Sequence, residues 1–315
     1  MNKKEKLLDL VIIGSGPAGL SAAIYAARME LDFIVLENEI IGGQIRSTYS
    51  VENYPGFKSI SGEELVNKIY NQALDLGARI DEFDEIKCIK LTDEEKLIET
   101  YEHIYKPKTV IIAAGAKYRP LPIPEEKKYH GNGIHHCELC DGEFYKDKNL
   151  IVVGGGNSAL EGAIFLSRYA KNITMVHQFD NFQGEKSLQE EVFNNSKIKV
   201  IWNTEIRNAF GENKLENVLV ENIKTKEQYK INVDGIFVYM GMTPNTDLYK
   251  DYIDLNKAGY ILADESTKTN VEGVFAAGDV REKQFRQLVT ANADGAVAAL
   301  TAERYISEKR RKNND

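Results

Sequence analysis

The apolar positions of this chain open with "LLDLVIIG" at 7–14, a short run that reads as a strand breaking at a glycine turn. The turn "GSGPAG" leads into "LSAAIYAARM", whose small and apolar residues suit a helix packed tightly on a sheet, and "DFIVLE" follows as the next strand. The order recurs in "KNLIVVGGGNSALEGAIFLSRY" (148–169), again strand, glycine turn and helix. Between the repeats the chain is β-rich ("ARIDEFDEIKCIKL", "TVIIAAGAKYRP"), and after the second come "IKVIWNTEI" and "KLENVLVEN" as further strands. Near the end, "GVFAAGDV" (273–280) stops at a glycine turn and "RQLVTANADGAVAALTAERYI" continues as an amphipathic helix. Two copies of one supersecondary unit predict an α/β protein with two dinucleotide-type folds.

Composition sharpens this picture. A chain of 315 residues with 43% hydrophobic residues can bury more than one core, so two domains are expected. The formal charge is 40 − 48 = −8, and the one basic stretch is the terminal "KRRKNND", read as a solvated tail. An extended nucleic-acid surface is excluded on that balance. The basic start "MNKKEKLLDL" resembles a leader, yet its apolar run breaks into the glycine turn with no small-residue cleavage site behind it. No stretch of ~18 uninterrupted apolar residues follows anywhere. The expectation is therefore a soluble, cytoplasmic protein with no membrane span. Three cysteines, Cys88, Cys137 and Cys140, are too few for a secreted disulfide scaffold.

The first turn has the spacing Gly14-x-Gly16-x-x-Gly19. Such glycines permit the tight turn, the approach of backbone to a pyrophosphate, and the close packing of helix on strand. The helix N-terminus then faces the phosphates with its positive dipole end. Glu37 ends the next strand, near the separation at which a carboxylate holds a ribose hydroxyl. The second turn is Gly154-x-Gly156-x-x-Ala159. Gly278 and Asp279 fall where a late strand stops, a place from which a carboxylate reaches the sugar-alcohol chain of a flavin.

Cys137 and Cys140 stand in "HHCELCDGEF" (135–144). Two intervening residues bring the sulfurs together at the start of a helical turn, where unpaired N–H groups and the dipole stabilise a thiolate. Asp141 offers a carboxyl within reach. A redox pair is the favoured reading. Zinc completed by His135 and His136 is the weaker one, because adjacent histidines point in different directions, and a purely structural pair also remains. Cys88, in the alternating "KCIKL", is expected to be a small buried hydrophobe.

Taken in order, "GSGPAG", "GGQ" (42–44), "VENYPG" (51–56), "CELCDG" (137–142), "GGGNSA", "GMTPNT" (241–246) and "GVFAAGDVREKQFRQLVTANADG" resemble the low-molecular-weight thioredoxin reductases across nearly the whole chain. The resemblance implies two Rossmann-like three-layer domains, the second inserted into the first: a discontinuous FAD domain at 1–116 and 246–315, and an inserted domain at 117–245 carrying the Cys-x-x-Cys pair. It implies FAD held by Gly14, Ser15, Gly16, Pro17, Ala18, Gly19, Glu37, Gly43, Gln44, Asn53, Gly115, Gly278, Asp279, Arg286 and Gln287. It implies catalysis by Cys137, Cys140 and Asp141, the aspartate serving as general acid and base toward the departing thiolate. It also implies a homodimer whose small domain rotates, with Gly115 and Gly241 as hinge candidates, and a thioredoxin or thioredoxin-like protein as acceptor.

The electron donor departs from that pattern. NADPH-using members resemble one another in a histidine followed by two arginines, with another arginine four residues on. Here His177 is followed by Gln178 and Phe179, with Gln183 in the last place. Each lost charge-assisted phosphate contact removes roughly 1.5–3 kcal/mol, so NADPH is expected to be a poor ligand. NADH lacks the usual carboxylate at the strand end, Asp180 arriving three residues late. A subgroup resembling these reductases takes electrons singly from reduced ferredoxin, and this chain is expected to join it, with Lys106, Lys108, Lys117 and Arg119 as candidates for a docking patch. The rival expectations are an atypical NADH or NADPH site, an oxygen-dependent dithiol oxidase, and a flavin-binding module without turnover.

Overall fold

The computed structural model describes residues 3–48 and 51–312. In chain order the elements begin with β1 (Lys4–Ile13), α1 (Pro17–Arg28), β2 (Phe33–Glu37), α2 (Gly62–Asp75), β3 (Ile80–Glu82), β4 (Ile86–Leu91), β5 (Lys96–Thr100), β6 (His103–Ile112) and β7 (Ala116–Tyr118). Next come α3 (Glu126–Tyr129), β8 (Ile134–His135), α4 (Glu138–Asp141), β9 (Asn149–Val153), α5 (Asn157–Leu166), β10 (Asn172–Val176), α6 (Lys186–Asn194), β11 (Ile198–Ile201), β12 (Thr204–Phe210), β13 (Asn217–Asn222), β14 (Gln228–Asn232), β15 (Gly235–Val238) and β16 (Met242–Pro244). The chain closes with β17 (Val274–Ala276) and the long α7 (Leu288–Lys312). Lys309 to Lys312 are exposed at the end of α7, and the remaining tail residues Asn313 to Asp315 lie outside the described residues. No helix among the described residues is long and apolar enough to cross a membrane.

The chain divides into two compact units, one of Met1–Thr48, Tyr54–Lys117 and Thr243–Asp315, the other of Tyr49–Asn53 and Tyr118–Met242. In the first unit a seven-stranded sheet runs β3-β2-β1-β6-β5-β4, with β17 also paired to β6. β1, β2, β3, β6 and β17 are parallel, while β4 and β5 pair antiparallel. The parallel strands are apolar because both faces are covered. On one face α1 and α7 pack through alanines, among them Ala22, Ala23, Ala26, Ala298, Ala299 and Ala302. The approach is so close that a Cβ on Gly295 would stand 2.0 Å from the Ala18 carbonyl oxygen. On the other face Ile98, Tyr105, Tyr249, Ile253 and Ile261 form a second cluster. Each fully buried aliphatic side chain there contributes roughly 1.5–3 kcal/mol, so the two clusters fix the height at which β1 and β17 release the chain. Pro17 opens α1 at its first turn, where the missing N–H costs nothing, and Ser61 caps α2 by accepting from Glu64 N at 3.1 Å.

The second unit has a five-stranded parallel sheet, β11-β10-β9-β15-β8, and a separate antiparallel sheet, β12-β13-β14. α5 and α6 cover one face through Leu160, Ala163, Leu166 and Val192. β15 enters beside β9 from more than eighty residues downstream and pairs with β8 on its far side, Ile236 with Ile134 and Phe237 with His135. That register places the segment after β8 at the carboxyl end of a parallel sheet, where open α/β sheets hold their chemistry.

Cys88 corrects its sequence expectation: it is exposed, with its Sγ 3.4 Å from Glu99 Oε2. A register shift between Ile86 and Cys88 in the β4–β5 pair interrupts the alternation, so the residue that should face the core faces out.

Candidate flavin and disulfide sites

In the first unit Gly14, at φ +100°, receives no side chain because a Cβ would lie 2.5 Å from the Ala113 carbonyl oxygen, and a Cβ on Gly19 would lie 1.8 Å from the Gly14 oxygen. Strand and helix therefore meet as closely as backbone permits. Gly16, by contrast, faces open space, with nothing within 4 Å of its Cβ position, and a Cβ on Gly43 would lie 3.4 Å from the Gly16 Cα. The buried Ser15 donates from N (2.8 Å) and Oγ (2.7 Å) to Glu37 Oε2, which fixes the carboxylate beside the turn. Gln44 donates to the Ala116 carbonyl, next to Gly115, and Gly115 itself has a positive φ of 67°.

Gly278 and Asp279 begin the turn after β17. A Cβ on Gly278 would stand 2.9 Å from that of Ala18, so this turn abuts the start of α1. Asp279 Oδ1 and Arg286 Nε are buried and lack a hydrogen-bond partner. Burial pushes the Asp279 carboxyl up, with Lys283 and Arg286 opposing and Asp294 reinforcing. Arg286 lies over the Tyr260 ring at 4.1 Å, and Gln287 N donates to Thr290 Oγ1 at 3.2 Å. Asn53 falls with the second unit. The residues of the first unit fit a flavin dinucleotide: open space over Gly16, a carboxylate fixed beside the turn, and a buried acceptor and donor without partners.

In the second unit Cys137 and Cys140 are joined as a disulfide with Cα atoms 5.3 Å apart. Cys137 is the N-cap of the one-turn α4, and the Cys140 and Asp141 N–H groups both point at its carbonyl. The turn is held from outside. Tyr239 OH donates to Glu138 Oε2 at 2.7 Å, and burial together with that carboxylate keeps the phenol protonated, its pKa raised well above the usual tyrosine value.

Asp141 is not left to solvent, and this is the contact that sequence reasoning missed. His135 Nδ1 lies 3.2 Å from Asp141 Oδ2. The other ring nitrogen, Nε2, accepts from Gly133 N (3.3 Å) and faces Tyr145 OH at 2.7 Å. Burial first, then the Asp141 and Asp234 carboxylates, push the Tyr145 phenol up, so it too donates. With Nε2 accepting, Nδ1 carries the ring proton and presents it to Asp141. The ring is clamped by Phe237 at 5.3 Å and Tyr145 at 5.2 Å. His136 turns the opposite way, stacked on Tyr118 at 4.8 Å. The two histidines thus separate, and neither joins the cysteines in a tetrahedral set.

The second glycine turn, after β9, has a different neighbourhood. His177 is buried, whereas Gln178, Phe179 and Gln183 are exposed. Gln183 Nε2 donates to the Asn181 carbonyl at 2.8 Å. Asp180 is paired with Lys224 at 3.1 Å, so this strand end presents an amide, a phenyl ring and a neutralised ion pair. The basic docking candidates are also engaged: Lys106 with Glu5 (2.8 Å), Lys108 with Asp9 (2.8 Å) and Lys117 with Glu39 (2.5 Å). These three do not form a free positive patch.

A glycine-turn dinucleotide fold, an acceptor carboxylate beside it and a cysteine pair on a second such fold define a flavin-type disulfide oxidoreductase. The chain belongs to the family described as pyridine nucleotide-disulphide oxidoreductase, whose pattern matches residues 8–295. It is 60% identical over 98% of its length to the whole of the "34.2 kDa protein in rubredoxin operon" of Clostridium pasteurianum, and 42% identical over 97% of its length to 96% of the thioredoxin reductase of Bacillus subtilis. Among solved structures, the thioredoxin reductase of Streptococcus pyogenes matches with a TM-score of 0.90 at 40% identity, over 96% of this chain and 99% of that one. The protein is a thioredoxin reductase-like, FAD-binding disulfide oxidoreductase with a mixed α/β, Rossmann-like fold.

Proposed function

We propose that this protein reduces thioredoxin or a thioredoxin-like protein through the Cys137–Cys140 disulfide, and that its electrons come from reduced ferredoxin rather than NADPH. The observation that carries the donor assignment is the strand end His177-Gln178-Phe179, with Gln183 beyond it, where a 2′-phosphate would meet no arginine. The Clostridium pasteurianum relative is named for a rubredoxin operon, and a one-electron carrier is the class of donor this reading requires.

In this reading residues 1–116 and 246–315 hold FAD and 117–245 carry the disulfide. Gly14 to Gly19, Glu37, Gly43, Gln44, Asn53, Gly115, Gly278, Asp279, Arg286 and Gln287 bind the cofactor. FAD, when bound, collects electrons and supplies them as a pair. Two electrons and two protons convert the Cys137–Cys140 disulfide to a dithiol. One thiolate then attacks the acceptor disulfide and the second displaces the mixed disulfide, which restores the oxidised pair and leaves the acceptor as a dithiol. Asp141 supplies and recovers the proton at the departing sulfur, held in place by His135 Nδ1–H. Gly115 (φ +67°) and Gly241 (φ +87°), near the crossings at Lys117/Tyr118 and Met242/Thr243, are the hinge positions in a homodimer.

The test is an anaerobic titration of the oxidised flavoprotein with reduced ferredoxin, NADPH and NADH in turn. Ferredoxin should bleach the flavin and support acceptor reduction; rapid bleaching by micromolar NADPH sinks the donor assignment. Cys137→Ser and Cys140→Ser should each keep FAD and lose disulfide transfer, and retained transfer in either variant refutes the assigned pair.

A further inference from the structure

We propose that Glu126, His130 and His136 form a binding site for a divalent transition-metal ion, with zinc the best-matched. Glu126 opens the short α3 and His130 is its C-cap, four residues on. His136 arrives from the end of β8, directly before Cys137. Glu126 Oε1 lies 3.2 Å from His130 Nδ1 and 3.7 Å from His136 Nε2. All three atoms fall within 4.8 Å of one another. Two ligands on a tetrahedral zinc at its usual bond lengths are about 3.3 Å apart, so an ion fits between these atoms with little movement.

The orientation of the cluster suits a cation. His136 Nδ1 faces the Val238 carbonyl oxygen at 3.3 Å, and a carbonyl can only accept. That contact turns Nε2, the other ring nitrogen, toward the Glu126 carboxylate and the gap between the three side chains. Metal-binding histidines are commonly oriented by this kind of carbonyl contact at the far nitrogen. Tyr118, stacked on the ring at 4.8 Å and 15°, fixes its plane.

The surroundings suit capture as well as holding. Glu126 is buried and His136 half-buried, with side-chain exposures of 12% and 6%, whereas His130 is 47% exposed and provides the entry. Two imidazoles and one carboxylate select zinc, cobalt or nickel over magnesium or calcium, which prefer all-oxygen sets. Three protein ligands leave a fourth position for water. A second cluster, Asp81, Asp84 and His103, also gathers three potential ligands. It differs in that Thr100, Glu102 N and His103 already satisfy Asp84.

The experiment uses the full-length flavoprotein with its disulfide oxidised, so that the thiols at 137 and 140 cannot bind metal, stripped with chelator and desalted. Titration with zinc sulfate by calorimetry, and equilibrium dialysis with elemental analysis, should give one ion per chain. Cobalt(II) should produce the visible bands of a tetrahedral site. His130→Ala, at an exposed position where the flavin spectrum reports retained folding, should weaken zinc binding at least tenfold and abolish the cobalt bands. His103→Ala should leave both unchanged. Absence of stoichiometric binding in the wild type, or full binding by folded His130→Ala, overturns the proposal; loss on His103→Ala instead assigns the ion to the other cluster and overturns it equally.

Discussion

His135 Nδ1 stands 3.2 Å from Asp141 Oδ2. The far side of the ring is pinned by Gly133 N–H and Tyr145 OH, so the imidazole acts as a fixed donor to the carboxyl directly after the cysteine pair. General acid–base catalysis contributes typically 10²–10⁴-fold. Asp141→Asn should therefore lose about 100-fold or more in acceptor reduction. His135→Phe, which keeps a ring against Phe237 but no donor, should lose about tenfold, with the flavin spectrum unchanged in both. Single-turnover thiol appearance after reduction measures the step, and unchanged rates would remove Asp141 and His135 from it.

Asp279 Oδ1 is buried without a partner, and a polyol hydroxyl would satisfy it. A hydrogen bond to a charged group contributes roughly 1.5–3 kcal/mol, so Asp279→Ala should weaken FAD retention about tenfold to a hundredfold. Flavin fluorescence on dilution of the holoprotein measures the release. A variant that keeps its flavin as tightly as the wild type would place the cofactor elsewhere.

Gln178→Arg, Phe179→Arg and Gln183→Arg together restore positive charge where a 2′-phosphate would lie. Each contact regained is worth roughly 1.5–3 kcal/mol, so the triple variant should bind NADPH at least tenfold more tightly than the wild type, with little change for NADH. Isothermal titration with both nucleotides checks this, and equal gains for both would mean that something other than the phosphate is being read.

Acid stability should depend on Asp84. Burial alone would raise its carboxyl pKa, but Thr100 Oγ1 (2.6 Å), His103 Nδ1 (3.1 Å) and Glu102 N (3.0 Å) outweigh burial and hold it below the ordinary aspartate value. A folded pKa below the unfolded one, near 3.9, gives stability that is present above that value and lost as pH falls through the folded pKa. Asp84→Asn should flatten the loss of stability below about pH 4 and cost about 2 kcal/mol at neutral pH. Urea midpoints across pH measure both, and an unchanged acid slope would deny the linkage.

What the sequence alone discloses is what neighbouring residues decide among themselves. Both glycine turns, the strand carrying Glu37, the late strand before Asp279 and the Cys137–Cys140 pair follow from spacing, because a tight turn or a one-turn disulfide is closed by backbone a few residues long. The missing arginines after His177 were legible for the same reason. Cys88 was misjudged because strand alternation holds only while register is kept, and a local shift against β5 reversed its face.

Side-chain meetings between distant segments were decided by the tertiary structure alone. β15 had to settle between β9 and β8 before Phe237 could clamp His135 and before the Val238 carbonyl could orient His136. Adjacent in the chain, those two histidines take opposite partners, His135 as the last residue of β8 and His136 in the bend just beyond it. Lys106 and Lys108 of β6 and Lys117 of β7 look free in the sequence, yet each meets an acid brought alongside by folding. Local sequence fixes which groups are present and how the backbone turns; long-range packing, paid in chain entropy and recovered in buried surface, fixes which of them touch.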